Sequence, residues 1–235
     1  KPFIRKGHKV IFVPGSAGGS IEFKKNIGYE ILAEDVIVGE TSTVAYASWL
    51  VKPGHAVIHV NVQKFIFSSL PYNEELNSFI KSLWGERVQI ENILFTILSD
   101  GNPVIHPPIM LLNAGRIENT KGDFLFYSDG VSESVGRLLR GIDLERMEIG
   151  EKLGLKLYSE PEMGKMQGFM HQADYYEGYR FGPGFTMIKA PDTLHFRYLV
   201  EDVGYGLLLW STMGDELGVD TPVIDSVIKI ASVAA

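Results

Sequence analysis

Apolar positions along this chain follow two rhythms, and the change between them falls near residue 88. Before it, short apolar runs predict a strand over Lys9–Val13, a Gly-rich turn, a helix over Ile21–Leu32 and a strand over Asp35–Gly39. A second strand near Val44–Val51 and a β-rich run over His55–Phe67 follow. Pro71-Tyr72-Asn73 then opens a helix over Glu74–Trp84, in which Leu76, Phe79, Ile80 and Leu83 recur at helical spacing. Strands alternating with helices predict an α/β part built on a parallel sheet.

From Gln89 onward the pattern is helical. Helices are expected over Ile90–Leu98, Ile109–Ala114, Val131–Leu153, Glu162–Phe169, Leu199–Leu217 and Pro222–Ala235, the last with Thr221 as N-cap and Pro222 in first position. Phe124–Tyr127 reads as a short strand or turn edge, and Phe181–Lys189 as a Gly/Pro-punctuated loop. The fold class is therefore α/β plus all-α, divided into residues 1–88 and 89–235.

Composition narrows the function classes. Of 235 residues 45% are apolar and 22% charged, enough for a real core, and a net charge of −7 without long single-sign runs argues against a nucleic-acid surface. With no cysteine there is neither a disulfide framework nor thiolate chemistry, which is compatible with a cytoplasmic setting. No apolar run is long enough for a bilayer, so no membrane partner is expected. The start at Lys1-Pro2-Phe3 and the uncapped apolar close suggest a piece of something longer, and the apolar closing helices suggest a homodimer.

Three constellations could carry chemistry. Phe12–Ser20 runs from a strand through Gly15, Ser16, Ala17, Gly18 and Gly19 into a helix, a geometry that exposes backbone N–H groups to an anion. It is neither a Walker loop nor a G-x-G-x-x-G fingerprint, and a plain turn with Ser20 as N-cap is the alternative. Gly39-Glu40-Thr41-Ser42-Thr43 should form a polar loop at the same sheet edge, where open α/β sheets bind ligands, or be an ordinary hydroxyl-rich loop. The third joins His106 to Arg197, Glu201 and Asp202. Pro103 and Pro107-Pro108 frame His106 and are expected to hold Asn102 and Ile105-His106 extended at the mouth of a helix. Arg197 can grip a carboxylate through two hydrogen bonds, and Asp202 or Glu201 can orient an imidazole. Equally, His106 could merely pack, and Arg197 with Glu201 could be a surface i,i+4 pair. His55 and His59 share a strand face without a third ligand, so no metal is expected. Met163, Met166 and Met170 read as core or interface filling, and Tyr175–Phe181 as a loop anchor or pocket lining.

The blocks VPGSAGGSIEF, GETST, NPVIHPPIMLLNAGRIE, DGVSESVGRLLRGIDLERMEIGEKLGL and FRYLVEDVGYGL with LGVDTPVIDSVIKIAS, in this order, resemble the octopine/nopaline dehydrogenases. The resemblance implies a Rossmann-type domain joined to a helical one, with NAD or NADP as cofactor. It further implies an amino acid and a 2-oxo acid such as pyruvate as substrates, condensed to an imine that is reduced. On the matching positions, His106 would transfer the proton, Asp202 would orient it, and Arg197 would hold the oxo-acid carboxylate. Asn113 and Thr41 would shape the substrate site, and Gly15, Ser16, Ala17, Glu40 and Thr41 would lie near the cofactor. The family's G-x-G-x-x-G turn has no match in residues 1–235, so the chain is expected to enter its nucleotide domain partway through. A non-catalytic ligand-binding or dimerisation module, or another 2-oxo-acid reductase of the superfamily, are the alternatives.

Overall fold

The computed structural model describes residues 4–27 and 36–235. Two compact units divide the chain, Lys1–Asp100 and Gly101–Ala235.

The first unit holds a four-stranded sheet of β1 (Lys9–Phe12), β2 (Ile37–Thr41), β5 (Phe65–Leu70) and β6 (Val88–Ile90), in that spatial order. β1 pairs with β2 in parallel, and β5 with β6 likewise, but β2 and β5 are antiparallel. The sheet is thus mixed rather than purely parallel. The physical reason is the connection: between β2 and β5 the chain forms a hairpin, β3 (Tyr46–Lys52) and β4 (His55–Asn61), instead of the long crossover that parallel neighbours need. Gly54, at φ 76, takes the left-handed position in its turn. The hairpin is a separate two-stranded sheet, and its Trp49, Leu50, Val51 and Ile58 are exposed. Arg87 ties its base down by donating to the Asn61 side chain and, at 3.0 Å, to the carbonyl of Ala45.

Helix α1 (Gly19–Asn26) follows the Gly-rich turn and is closed by Ile27 as C-cap; residues 28–32 of the helix expected to Leu32, and Asp35 of the expected strand, lie outside the described residues. Its N-cap is Gly18, at φ 106, rather than Ser20, which lies inside the helix. Helices α2 (Glu74–Trp84) and α3 (Ile93–Leu98) are capped by Asn73 and Asn92, each accepting from the backbone N–H three residues on. Residues 89–100 belong with the sheet, because β6 pairs with β5 and α3 packs against β5 and β2; the units part after Asp100, beyond the change of rhythm at 88.

The second unit is helical: α4 (Asn102–Leu112), α5 (Ala114–Thr120), α6 (Glu133–Lys152), α7 (Glu160–Gln167), α8 (Glu177–Phe181), α9 (Arg197–Glu201), α10 (Leu208–Leu217) and α11 (Pro222–Ala234). Phe124–Tyr127 contributes only an isolated bridge, Leu125 to Lys189. The core gathers Val135, Leu139, Ile142 and Ile149 of α6 with Ile109 and Met110 of α4, Trp210 of α10 and Ile224 of α11.

Helix α4 corrects the expectation drawn from its prolines. His106 is not extended at a helix mouth; it sits in mid-helix, with Pro107 and Pro108 inside the same helix. The two prolines remove the N–H groups that would bond the carbonyls of Pro103 and Val104. Burial overrides this cost, since every residue from Pro103 to Met110 is buried. A second departure lies in the closing helices. Residues 197–217 run without a break, but Asp202–Leu207 between α9 and α10 is wound as a π-helix, a wider turn common at functional sites. Thr221 makes no capping bond to the start of α11; instead Glu145 of α6 accepts from the N–H groups of Val223 and Ile224, both at 2.8 Å.

Candidate active site

The helical unit brings His106 and Asp202 together. Their elements meet because Gly206 of the π segment lies directly on Pro103 of α4: a β-carbon at 206 would run into the proline ring. The wider turn begins at Asp202, whose carboxylate reaches His106 Nδ1 at 2.6 Å, with both residues buried. The carboxylate can only accept, so it takes the Nδ1 proton; in the neutral ring Nε2 then accepts from the Tyr127 hydroxyl, 2.9 Å away. Tyr198 stacks on the imidazole, centroids 3.8 Å apart and planes 17° from parallel. Both ring nitrogens and one ring face are therefore occupied.

Tyr127 is enclosed by Phe126, Phe185 and Tyr179. Burial pushes its hydroxyl well above the ordinary tyrosine value, and the charges of Tyr198, Glu160 and Asp202 add to the shift. Burial also raises Tyr198, against the opposing pull of Arg197. Arg197 itself is exposed. Its Nε lies 3.5 Å from Glu201 Oε2 and its guanidinium 6.0 Å from the centroid of Tyr198. The two acidic candidates thus separate: Asp202 orients the imidazole, while Glu201 holds the arginine in a solvent-exposed pair worth about 0.3–0.5 kcal/mol, which a ligand carboxylate can readily replace. Asn113 is half-buried. Its amide donates to the carbonyls of Ile109 and Gly130, at 2.9 and 3.0 Å, bracing the junction of α4 and α5.

Neither Tyr127 nor Tyr198 stands out in the sequence as a site residue. Tyr198 stands inside the FRYLVED block beside Arg197, so its place in that block was the available signal. Tyr127 comes from a short turn segment 21 residues after His106, and no periodicity links the two.

In the sheet unit, Gly15 donates to the carbonyl of Thr41 at 3.0 Å, so the Gly-rich turn after β1 and the end of β2 do converge. Glu40 and Thr41 are the last residues of β2 rather than loop residues, and both are buried. The Glu40 carboxylate accepts the Ser20 N–H at 2.9 Å and fills the first turn of α1, while a β-carbon at Gly15 would collide with it. Desolvation raises the Glu40 carboxyl, against hydrogen bonds from Ser20 and Gly18 that lower it. Thr41 spends its hydroxyl on the carbonyl of Thr43, at 2.7 Å. Ser16 and Ala17, at φ 48 and 59, hold the turn in left-handed backbone, with Ser16 exposed and Ala17 buried.

The family description "NAD/NADP octopine/nopaline dehydrogenase, alpha-helical domain" matches residues 73–235. The chain belongs to the octopine/nopaline dehydrogenase family. An opine dehydrogenase of Arthrobacter sp. (strain 1C) is 34% identical over 232 residues, covering 98% of this chain and 64% of that protein. A vitopine synthase of Allorhizobium ampelinum is 28% identical, covering 94% and 61%. The chain thus spans less than two thirds of the length of these curated relatives. Among solved structures, octopine dehydrogenase with NADH and L-arginine superposes with a TM-score of 0.76 at 16% identity, over 98% of this chain and 64% of that one. Yersinopine dehydrogenase with NADP+ gives 0.71 at 15%, over 97% and 64%. The Rossmann-like plus helical architecture of the octopine dehydrogenases is therefore the fold of this chain.

Proposed function

We propose that the protein is an NAD(P)-dependent opine-type dehydrogenase that joins an amino acid to a 2-oxo acid such as pyruvate by reductive condensation. The observation that carries this reading is the buried His106–Asp202 pair at 2.6 Å, beside an exposed Arg197. The guanidinium of Arg197 exchanges Glu201 for the oxo-acid carboxylate and fixes the 2-oxo carbon. The amine adds to that carbon, opening the C=O π bond, and its proton passes to the oxygen, which becomes a hydroxyl. His106 delivers a proton to the departing hydroxyl, which leaves as water and closes the imine, while Asp202 holds the ring in one tautomer and offsets the imidazolium charge. The nicotinamide, when bound, supplies hydride to the imine carbon. In the reverse direction His106 recovers the proton.

The residues of the sheet unit fit part of the cofactor. Ser16 and Ala17 present left-handed backbone at the carboxyl end of β1, where open sheets bind dinucleotides. The Glu40 carboxylate already fills the first turn of α1, so this edge suits a neutral portion such as the nicotinamide and its ribose, and not the pyrophosphate. Exposed Ile230 and Val233 on α11 support self-association, to be checked by sedimentation.

The full-length protein should oxidise NADH or NADPH when given pyruvate and one of a panel of amino acids. His106→Gln should lower kcat by about 10²–10⁴-fold while leaving nucleotide binding in place. Absence of turnover with every amine and oxo acid would overturn the reading, and an unchanged kcat in the variant would remove His106 from it.

A further inference from the structure

Both ring nitrogens of His106 are engaged. Its Nδ1 proton is committed to Asp202, and Nε2, the nitrogen left for proton exchange, already accepts from the Tyr127 hydroxyl. The ring of Tyr198 closes one face. A proton passing between Nε2 and a substrate on that side meets the oxygen of Tyr127 first.

We propose that Tyr127 is the third member of the proton-transfer unit and hands the proton between His106 Nε2 and the reacting atom. The assignment rests on the opine-type reading above. The step balances without forming a phenolate: as the substrate oxygen takes the hydroxyl proton of Tyr127, the Nε2 proton of imidazolium His106 moves onto the same phenol oxygen. The O–H bond that breaks is replaced by the one that forms, and His106 ends neutral. Transport in the opposite direction reverses both movements. Burial favours this paired transfer, because a hydroxyl held well above its ordinary value gives up its proton only when another arrives. The enclosing rings of Phe126, Phe185 and Tyr179 hold the side chain in place.

Tyr127→Phe preserves the ring and removes only the relay atom. In full-length protein whose wild-type turnover has first been established, kcat should fall about 10²-fold with KM for the oxo acid little changed. The proton inventory, kcat against the fraction of D2O, should be curved in the wild type, where two protons are in flight, and linear in residual Tyr127→Phe turnover. A kcat equal to or above wild type would mean that substrate simply displaces Tyr127, and would overturn the proposal, as would a linear inventory in the wild type. A second readout needs neither turnover nor cofactor: imidazole ¹⁵N NMR of the unliganded protein. It should show a proton on Nδ1 and a hydrogen-bonded Nε2, the Nε2 resonance moving in Tyr127→Phe. An Nε2 resonance indifferent to the substitution would overturn the assignment even if no opine chemistry were found, so the two failures are distinguishable.

Discussion

Glu40 and Asp202 are both buried carboxylates, each placed in its own unit beside a residue that sequence reasoning tied to a ligand. Glu40 accepts backbone N–H at the start of α1, and such donors never release their protons; its role is structural. Asp202 accepts from an imidazole, whose second nitrogen can gain or lose a proton and is already in a hydrogen-bonded chain with Tyr127. What separates a structural carboxylate from a chemical one is therefore not its burial but whether its partner can titrate.

The sharpest way to break this comparison is Asp202→Asn. An amide keeps the volume, loses the charge and can donate to Nδ1 as readily as accept from it, so the tautomer is no longer fixed. Turnover should fall about 10²–10⁴-fold with thermal stability little altered. Unchanged turnover with a large stability loss would place Asp202 in the same class as Glu40. Next in size is Gly206→Ala. The added methyl group runs into Pro103, so the π segment must move off α4, and denaturant unfolding should report a loss of about 1–3 kcal/mol. Turnover should drop with it, because Asp202 is carried by the same turn.

The smallest effect belongs to Glu40→Gln. Burial raises the Glu40 carboxyl above its ordinary 4.5, so it holds its proton more tightly folded than unfolded. That contribution is fully present below the unfolded value and is lost as pH rises through the folded one. Wild type should therefore gain stability relative to Glu40→Gln as pH falls through the folded value toward 4.5, and at neutral pH the two should differ by no more than about 1 kcal/mol. A large loss at neutral pH would show that the charge, not the shape, of Glu40 holds the turn.

The same contrast explains what could be read from the chain. Helix α2 and the long α6 follow from local periodicity, and the ordered blocks named His106, Arg197 and Asp202. The antiparallel step from β2 to β5 was hidden because the hairpin between them has the alternating pattern of ordinary strands. The helical path of α4 was hidden because its prolines argue locally against it, and only burial on all sides decides otherwise. Tyr127 was hidden for the opposite reason: nothing local distinguishes it, and its role depends on a contact across 21 residues. The π turn at Asp202–Leu207 leaves no mark beyond its glycines, of which Gly206 is needed for the approach to Pro103.

Helix α6 has one more consequence, for the order in which the chain is made. Its Asp143 receives the N–H of Glu160 at the head of α7, and its Glu145 receives Val223 and Ile224 at the head of α11, the former 78 residues later. Neither later helix depends on its own preceding residue alone for satisfaction of its leading amides. Synthesis from the N-terminus therefore presents both acceptors on α6 before the helices that need them emerge.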